Sequence, residues 1–284
     1  MKLEQFEVYD QQALMTGKPF IGVRDGRRYL IHRLGWTDGH RTEQIKEALE
    51  NAVMPGSNIA IPEYLRVGNE LFSVDFCGRE AVSACPSAAI CALPQGFIRQ
   101  IARSAAAALA TLERAGIIHG NISCHSFQLN AAQNGTLYVQ LTGLADAGIV
   151  GKLAPVRGNA NEYTAPHLAN QAVKTPFAED VYALGMCLHL WFTGDLPVCD
   201  SVSDRQGWLL SDRLPRDLIP IVGMLLAPRS EHRPRASAVL RILQRESPVK
   251  TAWNYQCFHD FDYSVQYIRT VLECLKEEKK FLTL

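Results

Sequence analysis

The sequence predicts an α+β fold in which a small strand-rich part precedes a larger, mainly helical one. Three observations predict it. Before residue 80 apolar residues come in short runs broken by glycine-containing turns. From Gln95 onward they recur at three- and four-residue spacing. Between about residues 127 and 142 two further strand-like runs interrupt the helices. The chain divides on this reading into residues 1–80, strands with one helix; 81–245, the helical part; and 246–284, a C-terminal helical extension.

Residues 20–23 and 28–34 make a hairpin with Asp25-Gly26 as its turn, since Asp-Gly accepts the positive φ angles of a tight connection. Thr37 or Asp38 caps a helix that carries Ile45, Leu49 and Val53 on one face and stops near Pro55-Gly56. Strands over 59–67 and 70–76 follow, joined at Gly68-Asn69. Phe97, Ile101, Ala105, Ala108, Leu109 and Leu112 then mark one face of a long helix ending at Gly116. The alanine run at 105–108 reads as small residues that let this helix pack closely. Strand pieces at 127–130 and 136–142 flank a loop at 131–135, and the remainder to about residue 245 reads as helix with breaks at Pro and Gly. In the extension, Phe261, Val265, Ile268, Val271, Leu272 and Leu275 form an apolar stripe, suited to packing back on the helical part or to docking a partner.

Composition narrows the function. Hydrophobic residues are 47% of the 284 and charged residues 20%, so long disorder is not expected. Lys plus Arg and Asp plus Glu number 29 each, which leaves no charge footprint for nucleic acid or an anionic membrane. No apolar run reaches the ~20 residues of a membrane span, and no basic leader with an apolar stretch opens the sequence. None of the eight cysteines forms a C-x-x-C pair, so a zinc or dithiol motif is unsupported. A cytoplasmic protein in a reducing compartment is the expectation.

One stretch carries the functional reading: Ile117-Ile118-His119-Gly120-Asn121-Ile122-Ser123-Cys124-His125-Ser126-Phe127-Gln128-Leu129. It resembles the catalytic loop of the protein-kinase family, usually H-R-D-L-K-P-E-N followed by apolar residues. The frame is kept, but Asn121 stands at the catalytic Asp, Ser123 at the Lys and Ser126 at the metal-binding Asn. Residues 97–119 resemble the helix leading into that loop. Residues 161–168, with Pro166 and His167, resemble the A-P-E end of the activation segment. Residues 179–197 resemble the family's buried central helix, with Asp180 and Gly185 at its D-x-x-x-L-G start. Residues 225–240 resemble the late motif containing Arg233. These motifs identify the chain as a degenerate, kinase-like one. The resemblance implies a bilobal fold with a β-rich N-lobe and a larger helical C-lobe.

A kinase needs a carboxylate to orient the substrate hydroxyl, and metal ligands for the phosphates; the amide of Asn121 has no ionisable acceptor. The D-F-G equivalent falls in one of three registers: Leu141-Thr142-Gly143, Gly143-Leu144-Ala145, or the later Asp146-Ala147-Gly148, which alone begins with a carboxylate. The glycine-rich loop is reduced to Gly17 and Gly22. The strand that should carry the phosphate-binding lysine offers His32 and Arg33, with Glu43, Glu47 or Glu50 as helix partner. Asp180 is expected to sit under the loop and accept its backbone hydrogen bonds, with His119 as scaffold. Because His167 replaces the A-P-E glutamate, that histidine bonds nearby or Arg233 finds another carboxylate. The resemblance implies a pseudokinase without cofactor or bound metal, a scaffold or allosteric regulator of a protein partner. The alternative is an atypical enzyme with relocated groups, for which Asp75 and Asp146 are the carboxylates to consider, with a hinge near residues 75–78 for a nucleotide base.

Overall fold

The computed structural model describes residues 5–8, 12, 15, 19–54, 57–77, 86–131, 136–157, 161–165, 176–200 and 207–245. Pro166, His167, Gly17, Gly78 and the extension 246–284 lie outside the described residues. The fold is α+β. Strands β1 (Glu7–Val8), β2 (Phe20–Arg24), β3 (Arg27–Arg33), β4 (Glu63–Val67) and β5 (Glu70–Phe76) form an antiparallel sheet in the order β1-β2-β3-β5-β4. Asp25 and Gly26 turn the β2–β3 hairpin at φ 52° and 69°, the geometry that Asp-Gly accepts.

Period-two alternation gives the sheet two different faces. Phe20, Tyr29, Ile31, Phe72 and Val74 cluster with Phe6 on the outer one. Leu71, Ser73 and Asp75 point the other way, and Leu71 meets Leu34 and Ala145. Helix α1 (Gly39–Ala52) is capped by Asp38, whose carboxylate accepts from His40 N at 2.9 Å. It buries Ile45 and Leu49 completely, each worth about 1.5–3 kcal/mol.

The second part is built on α3 (Gln95–Ala115), which ends where Gly116 takes the left-handed conformation at φ 71°. Ala102, Ala105, Ala106, Ala108 and Ala110 are all buried, so the alanine-rich face does admit close neighbours. Around α3 lie the short helix α2 (Pro86–Cys91), the central helix α4 (Ala178–Thr193), α5 (Ile219–Leu225) and α6 (Ala236–Arg245). Arg103 Nε donates to Leu243 O at 2.9 Å and Glu113 Oε2 accepts from Ser237 N at 3.1 Å, tying α6 along α3. At Gly185 in α4 a Cβ would lie 2.8 Å from Leu225 Cβ and 3.0 Å from Leu226 Cδ2, so only glycine lets α4 and the α5 region touch.

Two sequence expectations need correction. The strand expected over 59–67 begins at Glu63: Pro62 has no N–H to extend the ladder, and Ile59 leaves the sheet to bridge Leu141 in the second part. Short strands that the sequence reading did not place also occur, one before the 127–142 strand pieces and the others in the part read as helix with breaks. β6 (Ile117–Ile118) pairs with β9 (Gly148–Ile149), and β10 (Val198–Asp200) with β11 (Gly207–Leu209). The hairpin of β7 (Phe127–Ala131) and β8 (Leu137–Leu141) falls where the sequence places it.

Candidate functional site

The turn between β6 and β7 is held from below by α4. Asp180, in the first turn of that helix and buried, accepts from His119 N through Oδ2 and from Gly120 N through Oδ1, both at 2.8 Å. Burial pushes the Asp180 carboxyl up, while the His119 ring and these two amides pull the other way. His119, 1% exposed, is fixed at both ring nitrogens: Nε2 lies 2.9 Å from Thr142 O and Nδ1 accepts from Asn121 N at 3.3 Å. With Nδ1 accepting, the bonded network assigns the proton to Nε2. A histidine bound this way is scaffold, as expected.

Asn121 itself is exposed. Ser123 and Ser126 are not idle replacements. Ser123 Oγ accepts from His125 N at 3.2 Å and Ser126 Oγ accepts from Ser123 N at 3.1 Å, a reciprocal capping box around the turn Cys124–Ser126. Thr142 is fully buried, donating from N and Oγ1 to Ser126 O at 2.8 and 3.2 Å. Leu141 is likewise buried, and Gly143 turns at φ 82°. Of the three candidate registers, residues 141–143 thus touch the His119 turn. Asp146 does not join them: it faces Trp36, whose Nε1 donates to Oδ1 at 2.7 Å.

A strap of residues 146–156 lies across this turn. Ile149 and Leu153 exchange hydrogen bonds at 2.7 and 2.8 Å, and Val156 N returns to Asp146 O at 2.8 Å. A Cβ on Gly120, at φ 75°, would fall 2.6 Å from Pro155 Cβ; one on Gly148 would fall 2.5 Å from Pro155 N. Pro155 therefore sits directly on the backbone beside Asn121. From α1 the buried Arg41 sends Nη2 to the carbonyls of Asp146, Ala147 and Ala154 at 3.1, 2.7 and 3.0 Å, with its guanidinium 5.4 Å from the Trp36 ring.

The inner face of the sheet closes the site from above. His32, Ser73 and Tyr64 are cross-strand neighbours in one row, and Asp75 is the next inward residue on β5. Asp75 is fully buried, and its Oδ2 accepts from Gly143 N at 3.1 Å. Its Oδ1, with Ser73 Oγ and the Tyr64 hydroxyl, has no hydrogen-bond partner among the described residues. Burial pushes the Asp75 carboxyl up to about 7, against the Gly143 amide. Burial also raises the Tyr64 hydroxyl, reinforced by Asp75 and Asp146, and lowers His32, which Asp146 opposes.

Asp75 lies inside β5, one residue before its end at Phe76. Arg33 pairs with Glu70 on the neighbouring strand, and Glu43, Glu47 and Glu50 are exposed. Among the described residues Arg233 pairs with no carboxylate: it donates to the carbonyls of Ala227, Ala178 and Pro228 at 2.9, 3.0 and 3.3 Å and lies 4.9 Å from the Tyr182 ring. Three planar donors satisfied by backbone leave no need for the missing glutamate. Among the described residues no cluster of three or more His, Cys, Asp or Glu could hold a metal ion, and no helix is long and apolar enough to cross a membrane.

Sequence reasoning missed Arg41, Trp36, Tyr64, Ser73 and Pro155. In β5 polar residues alternate with apolar ones, Leu71-Phe72-Ser73-Val74-Asp75, which normally marks a solvated face; here the strap and β8 end cover that face. No family model matches the chain, and no curated protein matches it.

Proposed function

We propose that the chain is a pseudokinase: a bilobal, kinase-like fold retained for binding a protein partner, as scaffold or allosteric regulator, without phosphoryl transfer. One observation carries this reading. The turn at His119 keeps a complete set of supports, with Asp180 on two backbone amides and His119 on Thr142 O, while its functional positions hold groups that serve the turn itself. Ser123 and Ser126 cap each other, Thr142 bonds Ser126, and Asn121 has no ionisable acceptor. Pro155 packs against Gly120, directly beside Asn121. The first register, Leu141-Thr142-Gly143, is the one this geometry favours for the D-F-G equivalent, and it holds no carboxylate.

The atypical-enzyme reading keeps one supporting observation: Asp75 and Asp146 both act electrostatically on the buried Tyr64 hydroxyl. A single assay separates the two. Incubation with radiolabelled ATP, magnesium and generic protein substrates is expected to give no incorporation into substrate or into the protein. Incorporation abolished by Asp146→Ala or Asp75→Asn would overturn the scaffold reading in favour of relocated catalysis.

A further inference from the structure

An open groove of about 730 Å³ runs between the outer side of α1, the last turn of α3 and the β9 turn. Its floor is shallow-chained, with Ala48 and Ala52 of α1 beside Ile149, so small residues leave room that larger ones would fill. Met54 stands at its edge 78% exposed, and the neighbouring Val150, 43% exposed, lies against Gly116 at the end of α3. Met54 is one of six exposed large apolar side chains among the described residues, and it lines this groove. Methionine at such an edge is an adaptable apolar contact.

The charges are divided between the walls. Arg114 bonds only within its own helix, to Ala110 O at 3.4 Å and Thr111 Oγ1 at 3.2 Å, and Lys152 has no ion pair among the described residues. The opposite wall carries Glu47, also without an ion pair among the described residues, since Lys46 pairs with Glu50. Two unmatched cations facing one acid favour an occupant that is acidic along one edge only.

We infer that this groove docks an amphipathic helix of a protein partner, its apolar stripe on the alanine floor and its acidic edge toward Arg114 and Lys152. A helix laid in a groove presents side chains at i, i+3, i+4 and i+7, which suits a channel between two helices. The inference rests on the partner-binding reading above and names its surface, one wall of which, Ile149 and Lys152, belongs to the strap that lies across the His119 turn.

The test uses the full chain and a labelled synthetic peptide of roughly 16 residues, long enough to be helical. It carries leucine at that spacing and glutamate along one edge, and binding is read by fluorescence anisotropy. A second peptide has lysine at the glutamate positions. The glutamate peptide is expected to bind at least about tenfold more tightly, a difference of about 1.4 kcal/mol. Met54→Asp should weaken it by a similar factor, and Arg114→Glu with Lys152→Glu should reverse the preference, all with unchanged melting temperature. Equal binding of both peptides, or binding indifferent to these variants, overturns the inference. So does self-association that the peptide displaces, which would assign the groove to a second copy. Phosphoryl transfer from ATP would instead sink the scaffold reading, whatever the peptides do.

Discussion

Asp75 and Asp180 are both buried carboxylates, and their partners set them apart. Asp180 has a backbone amide on each oxygen. Replacing it with alanine leaves two buried donors of the His119 turn unpaired, a loss of about 1–3 kcal/mol or more. We expect Asp180→Ala to melt several degrees below wild type, and an unchanged melting temperature would show that the turn does not depend on it. Asp75 has one amide and one oxygen without a partner among the described residues, and burial pushes its carboxyl up to about 7. Its folded value lies above the ordinary 3.8, so its contribution to stability is full below about pH 4 and is lost as pH rises through about 7. The loss is on the order of 4 kcal/mol across that window. Asp75→Asn cannot ionise, so it should match wild type near pH 4.5 and melt higher than wild type at pH 8. Parallel melting curves of the two proteins from pH 4.5 to 8 would show that Asp75 does not titrate there. The seat of Asp180 was expected from the motif that carries it, whereas the burial of Asp75 against Gly143 was not legible in its own stretch of chain.

Elements show where local pattern suffices and where it fails. The β2–β3 hairpin, α1 and α3 were legible because their signals are local: Asp-Gly at a turn, Asp38 before a helix, Gly116 after one. The 59–67 strand was not, since Ile59 chose a partner in β8, far along the chain. The strap was not legible either, because Arg41 reaches it from more than a hundred positions away. Arg41→Ala should free the three strap carbonyls, cost about 1.5–3 kcal/mol, and speed amide exchange at residues 148–156; protection equal to wild type would mean that Pro155 alone holds the strap. The contact of α4 with α5 gives a second check. Gly185→Ala places a methyl against Leu225 Cβ, and overpacking of this kind costs roughly 1–3 kcal/mol. A variant as stable as wild type would show that α5 can shift without penalty.

For the whole molecule the prediction concerns nucleotide. A ligand that binds only the folded chain at a hundredfold excess over Kd adds about 2.7 kcal/mol, which in a protein of this size raises Tm by roughly 5 °C. Millimolar ATP with magnesium is expected to raise it by less than the scatter of the measurement. The phosphate-cradling glycine pattern and strand lysine are absent from the sequence, and Thr142 and Ser126 are bonded to each other. A magnesium-dependent rise of several degrees would reject the pure scaffold reading.

Sequence alone determined the α+β class, the β2–β3 hairpin, α1, α3 and the β7–β8 pair, because turn, cap and periodicity signals act between near neighbours, while the seat of Asp180 under the His119 turn was implied by the motif resemblance. It also carries the resemblance in which Asn121 and Ser126 stand where a kinase motif has chemistry. Only the tertiary structure decided what those positions do instead. Ser123 and Ser126 cap one turn, Asp146 turns to Trp36, Arg233 takes backbone carbonyls, and Pro155 rests on Gly120. Most of these contacts join distant segments, and whether a polar side chain is buried, and against what, depends on segments brought together by packing rather than on its own stretch of chain.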